Sequence, residues 1–352
     1  MSKVKNDIIS FFQFNYTWYD DAKAKQGKQS FERLLGWAHP ELRNLLRYDS
    51  GHRFVDETFR SAPKGFHQFI TLMMYDPLTE LFVHLFFTLA TSQTQDLYKK
   101  LFQCIEFAVG VKPTPKDVVC DFEAALIFAV RDHFPSTRII GCLLHFKQAC
   151  RRKMKKYQLS ETEAGIAMGF GVLYMLTVID AEKISVQGVA WVKNKIKQRC
   201  GAQNVPYSRS KWNQFWNYFQ KTWIETFPPD LWNIYGVQRE IVNRTNNSLE
   251  RFHHEVNARP KRRPSLRPFF KTIEEIARHY QLVRKSIITD DAEAPKRPGL
   301  RFPRAATLPS IADIQNSESE DESDSDSIDD NNHEEDPLLA DEDLELSLRC
   351  LP

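Results

Sequence analysis

Three carboxylates fall where they could hold a divalent cation together. Asp56 closes an apolar stretch in FVDETF (54–59), Asp121 follows the apolar VVC of 118–120, and Glu250 ends RTNNSLE (244–250). Two acids at the tips of neighbouring strands, with a third in the first turn of a helix packed beside them, can converge on one point. Three hard oxygen donors suit Mg2+ or Mn2+, which keep waters and bind phosphate oxygens. Two such ions about 4 Å apart can activate an attacking oxygen and stabilise a departing one in phosphodiester chemistry. Each acid also has a plainer reading. Asp56 suits a strand-end turn, and Asp121 suits the N-cap of a following helix. Asn247-Ser-Leu-Glu250 has the form of a capping box, in which the glutamate binds backbone.

The elements that must position these acids show in the patterning. His52 to Thr58, Phe66 to Tyr75 and Leu81 to Ala90 read as three strands with short separators, the last two split by Asp76-Pro77, and so as an antiparallel meander. Thr94 to Val109 has helical spacing, with Leu97, Leu101 and Ile105 on one face. Asp117 to Cys120 is a short strand, Phe122 to Phe134 a helix, Ile139 to Leu144 a further strand, and Lys147 to Lys156 a basic helix. Meander followed by strand–helix alternation predicts an α/β fold, a mixed five-stranded sheet flanked by helices. Residues 1–50 read as a helical, aromatic segment, and 51–159 as the first part of the core. Residues 160–240 read as an all-helical, tryptophan-rich insertion, and 241–285 as the returning core helix with the third acid. Residues 286–352 read as a proline-bearing linker followed by a tail.

The formal net charge of +2 hides a division. Residues 1–312 hold 47 Lys/Arg and 30 Asp/Glu, a net of +17, whereas residues 313–352 hold 16 Asp/Glu and Arg349. So basic a body predicts a polyanionic partner. The tail, SESEDESDSDSIDDNNHEED from Ser317 to Asp336, repels itself and has Ile328 as its one apolar side chain, so it reads as disordered. It suits a solubilising role, or competition with DNA for the basic face. Six scattered cysteines without secreted-domain spacing, and no apolar run long enough to span a bilayer, predict a soluble intracellular protein with no membrane partner.

Two cation clusters are candidates for phosphate contact. Lys147, Arg151, Arg152, Lys153, Lys155 and Lys156 fall within ten residues, with Lys147 and Arg151, and Arg152 and Lys156, one helical turn apart. Arg259, Lys261, Arg262, Arg263 and Arg267 follow the third acid and are broken by prolines. Such contacts bring affinity with little sequence choice. The first cluster equally suits a solvated helix face, and the PKRRP at 260–264 a nuclear-import signal. Cys142 and His145 supply two ligands of a structural zinc site, with His253 and His254 as further candidates. Such a site needs four ligands, and the other reading is a buried thiol beside a hydrogen-bonded histidine.

In their order along the chain, FVDETF, GFHQFITL (65–72), VVCDFEAAL (118–126), IIGCLLHFKQACRRK (139–153) and WNIYGVQREIVNRTNNSLERFHHEVN (232–257) resemble the Mutator-like element (MULE) transposases over about residues 50–285. The resemblance implies a ribonuclease-H-like core with Asp56, Asp121 and Glu250 as its metal-binding DDE triad. It implies cleavage and strand transfer of double-stranded DNA with Mg2+ or Mn2+, action as a homo-oligomer on DNA, and a place in the nucleus. Two features depart from the family. Glu57 stands where a small residue is common, and residues 1–50, with no cysteine and only His39, lack the zinc-finger module of full-length relatives. Those departures keep a second expectation open, a domesticated DNA-binding or transcriptional protein that retains the fold without the reaction.

Overall fold

A computed structural model describes residues 10–27, 31–47, 51–59, 61–236, 264–295 and 306–314. The chain divides into two units, one formed by residues 1–142 and 243–299, the other by 143–242 and 300–352.

The first unit is built on a seven-stranded mixed sheet flanked by helices. Its strands are β1 (Phe12–Tyr19), β2 (Phe31–Trp37), β3 (His52–Thr58), β4 (Gln68–Asp76), β5 (Leu81–Ala90), β6 (Asp117–Cys120) and β7 (Arg138–Gly141). They lie in the order β1-β2-β5-β4-β3-β6-β7. The ladder is antiparallel from β1 to β3 and parallel across β3-β6 and β6-β7. Every residue of β5 is buried, as expected of a strand covered on both faces.

The helical reading of residues 1–50 is corrected by β1 and β2. Residues 12–19 alternate aromatic and polar side chains through Phe12, Phe14, Tyr16 and Trp18, a period of two that suits a pleated strand. Among the described residues there, α1 (Asp21–Lys25) and α2 (Pro40–Asn44) are the α-helical ones. Gly36 of β2 lies under the Phe14 ring, which fills the space a β-carbon would need.

Helix α3 (Gln95–Val109) begins with Thr94 Oγ1 accepting from the Leu97 amide at 3.3 Å. It ends at Gly110, whose φ of +80° suits glycine. Its Leu97, Leu101 and Ile105 are buried as the spacing predicts. Helix α4 (Ala124–His133) follows β6. A 23-residue helix, Leu266–Ile288, packs against β5, with Phe269 edge-on to Phe69 at 5.0 Å and the fully buried His84 edge-on to Tyr280 at 4.7 Å. At its far end Arg284 Nε donates to Asp76 Oδ2 at 2.8 Å.

Between 143 and 236 the described residues of the second unit form helices and turns, with no strand. They are α5 (Leu143–Lys156), α6 (Glu161–Met168), α7 (Val189–Ala202) and α8 (Arg209–Phe219), joined by short 3-10 and π turns. With these named, the long helix of the first unit is α9. Helix α5 begins four residues before the predicted Lys147, because the strand before it stops at Gly141 instead of running to Leu144. Phe146 packs edge-on to Trp223 at 4.7 Å and stacks on Trp232 at 5.2 Å, forming the aromatic centre of this unit. The Glu163 carboxylate accepts from both the amide and the hydroxyl of Ser160 and of Ser208, and from Trp212 Nε1 at 3.1 Å.

Residues 306–314, read from sequence as linker, pack within the second unit. Ile314 is buried, and Gln187 Nε2 donates to the Pro309 carbonyl at 3.0 Å. The acidic run that follows lies outside the described residues. The five described cysteines are all free thiols. Among the described residues, no helix is long and apolar enough to cross a membrane.

Candidate active site

Register brings the first two acids together. In the parallel ladder His52 pairs with Asp117, Arg53 with Val118 and Phe54 with Val119, a constant offset of 65 residues. Continued two steps, that offset places Asp56 beside Asp121. Paired residues of neighbouring strands share a face and lie about 4.8 Å apart. The two carboxylates accordingly bring oxygens within 4.8 Å of each other. Both are buried, Asp56 at 2% and Asp121 at 8% exposure.

The plain structural roles do not suit this pair. Asp56 is interior to β3, paired with Thr71 of β4, and is not in a turn. The N-cap residue of α4 is Glu123, two positions past Asp121. At the other end of the two strands, His52 Nδ1 and Asp117 Oδ2 meet at 2.6 Å. Cys142 continues β7 through its amide, which donates to the Cys120 carbonyl at 2.8 Å. The Phe122 ring, next to Asp121, covers Gly141 of β7 and occupies the space a β-carbon there would need.

Residues 53–149 match the MULE transposase domain. No curated protein matched the chain. The MULE transposase match opens at the second residue of β3, includes both aspartates and closes in α5. It points to a transposase-related function, one that implies DNA as substrate.

Within the MULE-matched stretch, the acid after Asp56 takes a different path. Successive strand residues face opposite sides of a sheet, so Glu57 turns away from Asp56. Burial pushes the Glu57 carboxyl well above its ordinary range, reinforced by the charge of Glu123 and a hydrogen bond to it. Glu123 accepts from the Tyr98 hydroxyl of α3 at 2.6 Å, and Gln68 Nε2 of β4 donates to the Tyr98 oxygen at 3.0 Å. Sequence reasoning missed this network. Its one signal was a second acid after each aspartate, in Asp56-Glu57 and Asp121-Phe-Glu123.

Glu250, His253, Arg259, Lys261, Arg262 and Arg263 lie outside the described residues. Cys142 is buried at the end of the parallel ladder, and His145 is the third residue of α5, in the helix instead of the strand. Along α5, Lys147 sits over the Tyr174 ring at 4.2 Å, Lys153 over the Tyr218 ring at 5.1 Å, and Arg151 pairs with Glu161 at 3.3 Å. Lys155 and Lys156 are exposed and Arg152 is half-buried. Arg267 is exposed in the first turn of α9.

Proposed function

We propose that the first unit carries the catalytic core of a MULE-type transposase that cuts and joins strands of duplex DNA. One observation carries the reading: two buried carboxylates, Asp56 in β3 and Asp121 just past the end of the parallel neighbour β6, bring oxygens within 4.8 Å of each other inside the stretch that matches the transposase domain. The central order β5-β4-β3-β6-β7, three antiparallel strands continued by two parallel ones, supports a ribonuclease-H-like core with β1 and β2 added at one edge. Two carboxylates taken out of water this close together favour a bound cation. Hard oxygen donors suit Mg2+ or Mn2+ over a soft metal.

When bound, Mg2+ or Mn2+ would supply activation of the attacking oxygen and stabilisation of the leaving one. Asp56 holds its oxygens from within β3, and Asp121 presents its own from the residue directly after β6. Glu57 turns to the other face of the sheet, where burial and the charges of Glu123 and Asp121 hold its carboxyl well above the ordinary range. Glu250 supplies the remaining acid by its place in RTNNSLE. Arg152, Lys155, Lys156 and the 259–267 cluster hold the phosphodiester backbone, and PKRRP at 260–264 also serves nuclear entry. The protein acts as a homo-oligomer that brings DNA ends together.

Incubating the full chain with duplex DNA and Mn2+ tests this reading. Nicking should appear only with metal and fall more than about 100-fold in Asp56→Asn and Asp121→Asn, beyond the 10–100-fold typical of residues that merely support metal ligands. Activity unchanged by Asp121→Asn would remove the pair from the chemistry. Salt-dependent DNA binding with no cleavage in either metal would favour the domesticated, non-catalytic reading.

A further inference from the structure

The C-terminal segment is fastened to the second unit immediately before its charge changes sign. Thr307, Leu308 and Pro309 line a cleft of about 300 Å³ with Trp191, Lys195 and Gln198 of α7. Beyond the bond from Gln187 to Pro309, Ser310 Oγ donates to Asp313 Oδ2 at 2.6 Å and accepts from the Asp313 amide at 3.2 Å, closing a helical turn at 311–314. Ile314, buried, ends that turn.

Four residues later the acidic run begins at Glu318, no more than about 14 Å of chain away. Between Ser317 and Asp336 it holds 11 Asp/Glu and no Lys or Arg. The body of the same unit, residues 143–242, holds 15 Lys/Arg against 7 Asp/Glu. Lys195 lies in the cleft wall itself, and Lys183 is exposed four residues before Gln187. A short tether gives an effective concentration on the order of millimolar, so even weak charge pairing is populated.

We propose that residues 317–336 dock in cis on lysines of the second unit that include Lys183 and Lys195, where they compete with DNA phosphates. The run acts as an internal polyanion that DNA must displace, so it sets a threshold for binding and favours DNA presenting many phosphates at once. The inference rests on tether and charge and does not depend on the acid pair of the first unit.

Zero-length carbodiimide crosslinking of the full chain, without DNA or metal, reads the docked state directly. Crosslinks from acids 318–336 to Lys183 and Lys195 should form within one molecule at about 0.1 M salt and vanish at about 1 M, where the screening length drops to about 3 Å. A full-length variant with those acids replaced by Asn and Gln should bind duplex DNA about tenfold tighter or more at low salt, the gap closing as salt rises. Absence of these crosslinks, or equal DNA affinity of the two proteins, would overturn the proposal. A protein that crosslinks and shows the affinity gap yet never cuts DNA would retain this inference while losing the nuclease reading.

Discussion

At the scale of single residues, the acids of this protein are sorted by what accompanies them. Asp56 and Asp121 bring oxygens within 4.8 Å of each other, whereas Glu123 accepts from Tyr98 and burial holds the Glu57 carboxyl well above its ordinary range. Tyr98→Phe removes the donor to Glu123 and the acceptor for Gln68, leaving buried polar groups unpaired. A loss of about 1–3 kcal/mol in denaturant-induced unfolding is expected. In the second unit, burial alone would raise the Glu163 pKa, but hydrogen bonds from Ser208 and Ser160 outweigh it and hold the carboxyl below its ordinary value. Its stabilising contribution is therefore whole above about pH 4.3 and is lost as pH falls through the lower folded value. Glu163→Gln should cost about 1–3 kcal/mol at neutral pH, because an amide replaces a carboxylate oxygen that accepts from serine and tryptophan. It should also flatten the acid limb of the stability–pH curve, as thermal melts at stepped pH would show.

At the scale of elements, the sequence disclosed β3 to β7 and the helices between them. Strong apolar runs, a capping threonine and turn residues all point the same way there. It failed at β1 and β2, where aromatic bulk suggests a helix although Phe12, Phe14, Tyr16 and Trp18 alternate strictly as in a strand. It also shifted the start of α5, because Leu143 and Leu144 suit a strand as well as a helix and only the end of the β6–β7 ladder decides. The two aspartates could be named from motif and strand ends, yet their pairing needed the register, which no local pattern displays. Gly141 was equally silent, since its constraint comes from a ring 19 residues earlier in the chain. Gly141→Ala pushes against Phe122 and through it against Asp121. It should destabilise the fold by about 1–3 kcal/mol, the usual range for overpacking. It should also weaken Mn2+ binding measured by calorimetry, whereas Gly165→Ala, in open space on α6, should leave that binding intact.

For the molecule as a whole, the meander of β4 and β5 and helix α3 all intervene between the two aspartates. The intervening path contributes nothing to their encounter except returning the chain to β3. An insertion of several residues after the exposed Lys112, in the connection before β6, should therefore leave Mn2+ affinity intact. Deleting one residue within β6 should abolish it, because side chains along a strand alternate between faces. The distance that matters is counted in rungs, not in sequence. The molecule can tolerate growth between its two acids, but it has no tolerance for a misnumbered step beside them.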